Sequence, residues 1–106
     1  MLHGGSAVNH EEISRINAAG GQLKTSAKGV DPAELKRAIA YGVCKVNLAT
    51  DFRLLWTRVI REFFQEDPEG FAPMIPGKTY MKEYEKMMLQ KFDLLNATGK
   101  AKKIKR

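Results

Sequence analysis

The chain has 106 residues, a single cysteine and a net charge of +6. That length supports one small domain with a modest core, and one cysteine excludes an intrachain disulfide framework or a cysteine-built metal knuckle. Five of the six net charges lie in the last ten residues, ATGKAKKIKR, so the body is near neutral and the basicity argues for a tail rather than a nucleic-acid surface. Apolar residues make up 43% of the chain, which excludes wholesale disorder. No apolar run approaches the ~20 residues of a membrane span. The opening MLHGGSAVNH lacks the charged-then-apolar build of a signal peptide. A cytoplasmic protein with no membrane partner is the expectation.

Leu2-His3 reads as the end of a strand. A short helix is predicted over residues 9–19, with Asn9 as N-cap, Glu12 closing a capping box, Ile13 and Ile16 facing inward, and Gly20-Gly21 as the stop. A polar loop, 22–30, follows. The clearest helix start is Asp31-Pro32 with Glu34 three residues after the cap. Leu35, Ala38 and Ile39 form its inner face, and Gly42 ends it. Val43–Leu48 reads as a strand, with Cys44 as a small core residue. Helix, glycine, strand is the order of a parallel α/β protein.

Thr50 or Asp51 is then predicted to cap an amphipathic helix to about Gln65. Leu55, Trp56, Val59, Ile60, Phe63 and Phe64 would share its buried face. Pro73, Pro76 and Gly77 predict an irregular stretch. A last helix is expected over residues 79–95, with a stripe of Tyr80, Tyr84, Met87, Met88, Lys91, Phe92 and Leu95. Residues 1–96 form the domain and 97–106 a frayed basic tail. A lone complete strand leaves its backbone donors and acceptors unpaired, so the chain reads as incomplete, and mostly helical on its own.

Two short runs carry chemical interest. In His3-Gly4-Gly5-Ser6, a histidine ends a strand, two glycines let a ligand approach the backbone, and a hydroxyl follows. Taken alone, the run is a weak signal, and a tight turn with an exposed histidine is the simpler account. In Asn47-Leu48-Ala49-Thr50-Asp51, a strand passes into a helix whose first amides favour an anion. Here simple capping by Thr50 and Asp51 is the plainer account. Together the runs end consecutive strands, as in the last two units of a (β/α)₈ barrel, whose phosphate sites are often built after strands seven and eight. A whole barrel needs about 250 residues.

His-Gly-Gly-Ser, a capped helix, then Gly-Val-Cys-Lys-Val-Asn followed by Thr-Asp resembles the C-terminal part of class II fructose- and tagatose-bisphosphate aldolases. The resemblance is continuous from Leu2 to about Arg61. Ala19–Lys24 with Gly29-Val30 resembles the longer, often oligomeric branch. The resemblance implies the last two βα units of a TIM barrel plus a C-terminal helix. It implies a lyase of carbohydrate metabolism that reversibly cleaves a ketose bisphosphate to dihydroxyacetone phosphate and an aldehyde, through a zinc-stabilised ene-diolate.

By the same resemblance His3 is one of three zinc histidines. Gly4, Gly5 and Ser6 grip a phosphate, and Gly4 helps hold a monovalent cation. Asn47 touches the ketose or its ene-diolate as the catalytic residue. Leu48, Ala49 and Thr50 complete the phosphate cradle. Arg53 reaches a neighbouring subunit's site in a dimer or tetramer; a solvated helix arginine is the equal alternative. Ala49 stands where many fructose-bisphosphate members have aspartate, which leaves the sugar epimer open. The other zinc histidines and the acid/base carboxylates lie upstream in the family, so these residues alone are expected to be inactive. A truncated, non-catalytic helical module with a nucleic-acid-binding tail is the alternative.

Overall fold

The computed structural model describes residues 1–104, so Lys105 and Arg106 of the expected tail lie outside the described residues. Four helices account for most of the chain: α1 (His10–Ala18), α2 (Pro32–Ala40), α3 (Thr50–Glu66) and α4 (Met74–Leu94), followed by one 3₁₀ turn (Ala101–Lys103). The architecture is mostly helical.

The strand expected over Val43–Leu48 is reduced to one parallel bridge, Leu2 to Val46. Leu2 N–H donates to the Lys45 carbonyl at 2.8 Å, and Asn47 N–H donates to the Leu2 carbonyl at 2.9 Å. Parallel ladders need several neighbours to extend, and two short segments cannot provide them. Cys44, expected in the core, is exposed, because among the described residues no further strand covers that face.

Helix ends follow local chemistry. The Asn9 side chain accepts from Glu11 N–H and the Asp31 side chain from Ala33 N–H. The predicted capping box at α1 does not close, because the Glu12 carboxylate turns instead to Arg58. Gly42 adopts φ 103°, a region that favours glycine, and Val43 N–H reaches back to the Ala38 carbonyl. At the far end Asn96 takes φ 54° and Ala97 N–H bonds to the Phe92 carbonyl, a Schellman close.

Helix α4 starts five residues before the expected Thr79 and runs through Pro76 and Gly77. Pro76 falls in the first helical turn, where backbone N–H groups have no intrahelical acceptor, so its missing donor costs nothing. The irregular stretch is correspondingly shorter.

The apolar core is thin. Ile13 and Ile16 of α1 meet Leu54 of α3, with Val8 packed against them. Leu35, Leu55 and Val59 are the other buried apolar side chains. Helix α4 lies on α3 through an edge-on Trp56–Tyr80 pair and a tilted Phe52–Tyr84 pair. Trp56 and Phe64, predicted to face inward, are half exposed, whereas Leu54 and Arg58 take the buried positions. The stripe is therefore rotated toward α1. The chain measures 50 × 36 × 16 Å, with a radius of gyration of 16.2 Å, against about 13 Å for a compact domain of this length. Phe71, Met74 and Met81 stay exposed on this slab.

Candidate functional site

The bridge between Leu2 and Val46 sets two loops side by side. Past it, Gly5 N–H donates to the Asn47 carbonyl at 3.0 Å, and the following residues of each segment turn out over the same end of α3. Gly5 is buried, and a Cβ there would run into Val46 Cγ1. Gly4 takes φ 69° with open space around it.

His3 and Asn47, 44 residues apart, meet at 2.9 Å between His3 Nδ1 and Asn47 Nδ2. Which atom carries the proton depends on the histidine tautomer and the amide orientation. With the Asn47 side-chain amide turned so that Oδ1 accepts from Nδ1–H, Nε2 of exposed His3 keeps a free lone pair. Either way the contact fixes the ring, the usual duty of a group behind a metal-ligating histidine. Replacing Asn47 with alanine should leave the imidazole ¹⁵N shifts close to those of a free peptide histidine. Unchanged shifts would show that Asn47 does not hold the ring.

Ser6 is buried, and its Oγ accepts from Ala49 N–H at 3.2 Å and Thr50 N–H at 3.1 Å. The serine thus caps α3 from across the bridge. Neither Thr50 nor Asp51 caps its own helix: the N-cap is Ala49, without a side-chain hydrogen bond. With both acceptor sites of the hydroxyl taken, its O–H remains as a donor toward a ligand. Leu48 is half-buried; Thr50 and Arg53 are exposed in the first turn of α3.

The zinc implied by the resemblance needs three protein ligands. Among the described residues, no group of three or more His, Cys, Asp or Glu side chains could hold a metal ion. His10 is exposed at the start of α1. The described residues therefore do not, by themselves, fit a zinc site.

Asp51 is the residue at this site whose contacts the sequence concealed. It reads as a helix cap, yet its carboxylate is 4% exposed and accepts from Ala7 N–H, Val8 N–H and Lys91 Nζ. The available signal was Lys91 itself, a lone cation within the apolar stripe of α4, which calls for a buried carboxylate partner. Arg58 was concealed in the same way. It is 2% exposed and contacts Glu12, Glu62 and Glu83 from three helices.

A histidine and a glycine–serine loop are thus set beside the start of α3, with Asn47 reaching the His3 ring. The family model for class-II fructose-bisphosphate aldolase matches residues 1–100, and the chain belongs to that family. Among curated relatives, a fructose-bisphosphate aldolase of Thermus caldophilus is 36% identical over 104 residues, covering 95% of this chain and 33% of the relative. One from Xanthobacter flavus is 35% identical over 105 residues, covering 99% of this chain and 29% of the relative. One from Giardia intestinalis is 35% identical over 104 residues, covering 95% and 31%. The chain spans about a third of the length of the curated relatives it matches.

Proposed function

We propose that this chain supplies the last two βα units and the C-terminal helix of a class II aldolase barrel, acting on a ketose bisphosphate. The observation that carries this is the parallel pairing of Leu2 with Val46. It sets His3 beside Asn47 and Ser6 beside the start of α3. In this role the Ser6 hydroxyl donates to the phosphate of dihydroxyacetone phosphate. Gly4 and Gly5 let the phosphate approach the backbone, with Leu48, Ala49 and Thr50 around it. Asn47 orients the ketose oxygens, and Arg53 reaches toward a second phosphate in a neighbouring subunit. Were upstream residues to complete the site, His3 would be one of the residues holding zinc, which would supply Lewis-acid polarisation of the ketone. A monovalent cation beside Gly4, an oligomeric and cytoplasmic enzyme, and a tail from residue 97 belong to the same proposal.

Ala49 brings a methyl where a carboxylate would contact a sugar hydroxyl, so fructose and tagatose bisphosphates are both candidate substrates. Losing one such contact changes discrimination by a few kcal/mol at most. The purified 106 residues should show no aldol cleavage with zinc added. Joined after the upstream two thirds of the Thermus relative, in place of that protein's own last third, they should restore cleavage of at least one epimer, and His3→Ala should abolish it. Turnover by the 106 residues alone would sink the claim of incompleteness. A folded chimera inactive toward both epimers would sink the assignment.

A further inference from the structure

The backbone after the two glycines is held from three sides. Val30 N–H donates to the Ser6 carbonyl at 3.0 Å, and a Cβ on the preceding Gly29 would strike the Ser6–Ala7 backbone. From the second side, Asp51 Oδ2 accepts from Ala7 N–H at 3.1 Å and Oδ1 from Val8 N–H at 2.9 Å. From the third, Lys91 Nζ of α4 donates to the same Oδ2 at 2.7 Å.

Val8 sits at φ 57°. A β-branched residue adopts that conformation only where its surroundings impose it. Asp51 holds the Val8 amide itself and the Ala7 amide before it, the two N–H groups that lead into the strained residue. Asp51 is buried, and the Lys91 side chain is 14% exposed. A carboxylate so placed is unfavourable without its cation. It also follows Thr50 directly, where an uncompensated negative charge would repel an incoming phosphate.

We propose that Lys91 is a positioning residue: acting through Asp51 it fixes the Ser6–Val8 backbone and couples the docking of α4 to the shape of the phosphate loop. The coupling rests on the proposed role of Gly4–Ser6 in phosphate binding. It gives the C-terminal helix a part in substrate recognition although no residue of α4 touches the loop's own backbone through this clasp. The Lys91 ammonium supports the Asp51 carboxylate, and the carboxylate supports the loop.

Amide hydrogen exchange on the 106-residue chain tests the clasp. In Lys91→Met the Ala7 and Val8 amides should exchange about tenfold faster, while those of Ile16 and Leu55 keep their rates. Asp51→Asn, which leaves one acceptor for two amides, should accelerate the same pair. Lys91→Arg should restore protection. Should Lys91→Met lose its helical circular dichroism, Asp51→Asn and Lys91→Arg make the comparison. Unchanged Ala7 and Val8 rates in the folded variants, or uniform acceleration of every amide, would overturn the proposal. Titration with inorganic phosphate provides the separate check. Gly4–Ser6 amides of the unaltered chain should shift, and Lys91→Met should weaken that response about tenfold. A local exchange effect with no phosphate response in the unaltered chain would support the clasp and count against the phosphate reading.

Discussion

Replacing Arg58 with methionine should destabilise the chain by about 3–5 kcal/mol, the usual cost of breaking a buried ion pair from one side. Arg58 Nε donates to Glu12 at 2.5 Å and Nη1 to Glu62 at 3.1 Å, while Nη2 contacts Glu83. One guanidinium therefore ties α1, α3 and α4 together where apolar packing is sparse. Burial acts to lower its pKa, but the hydrogen bonds and charges of Glu83 and Glu12 outweigh this and hold it above its ordinary value. Methionine fills much of the volume but leaves three carboxylates facing one another. Arg15 is the control: it binds Glu62 through Nε and Nη2, yet its side chain is 46% exposed. Arg15→Ala should cost no more than about 1 kcal/mol, as exposed pairs do. Urea unfolding followed by circular dichroism separates the two. An Arg58→Met midpoint within error of Arg15→Ala would refute the keystone role.

The same network predicts an acid limit. Burial acts to raise the pKa of Glu62, and the hydrogen bonds and charges of Arg15 and Arg58 outweigh it, leaving it lowered. A carboxylate lowered in the folded state stabilises the fold above its unfolded pKa, about 4.3 for glutamate. That contribution disappears as the pH falls through the lower folded value. Thermal stability should therefore drop below about pH 4.3, and less steeply in Arg58→Met, which has already lost part of the contribution.

Much of this fold is legible in the sequence because its helix ends are set by neighbouring residues. Asn9, Asp31 and Gly42 each act within a few positions of themselves, and those three boundaries follow from that. What lies hidden is decided across distance. Pro76 reads as a breaker until its place in the first turn is known, and that place depends on where α4 docks. Of the inner face that period assigns to α3, Leu55 and Val59 are buried, but Trp56 and Phe64 are half exposed, because the charges on Glu12 and Glu83 hold Arg58 inward. The candidate site divides similarly. The residues named by motif, His3 to Ser6 and Asn47 to Thr50, do come together, because a parallel pair aligns strand ends. Their supports do not announce themselves. Ser6 caps a helix 44 residues away, and Asp51 holds a loop 43 and 44 residues before it. Local patterning carries no trace of either contact.

Gly5→Ala should disrupt the alignment of the two loops, at a cost of about 1–3 kcal/mol typical of overpacking. The cause would be steric rather than conformational. Gly5 does not have a positive φ, but its added methyl would meet Val46 Cγ1, whose β-branched side chain has little rotamer freedom in which to retreat. The neighbouring Asn47 carbonyl and Leu48 Cδ2 stand at 3.4 Å from the same point, close but tolerable. Relief should therefore come from one substitution: in a Val46→Ala background, Gly5→Ala should cost little, a coupling that contacting residues display and distant ones do not. Exchange of the Asn47 amide, which donates to Leu2, measures the pairing directly. It should accelerate about tenfold in Gly5→Ala and return near the Val46→Ala rate in the double variant. Equal acceleration by Gly5→Ala in both backgrounds would mean that Gly5 and Val46 do not touch. Gly4→Ala makes the contrast, since nothing lies within 4 Å of its Cβ position and only its φ of 69° opposes a side chain. Its cost, about 1 kcal/mol, should be indifferent to residue 46. The two glycines would thus serve different ends: Gly4 turns the chain, and Gly5 lets the Asn47 segment lie close enough for Asn47 to reach the His3 ring.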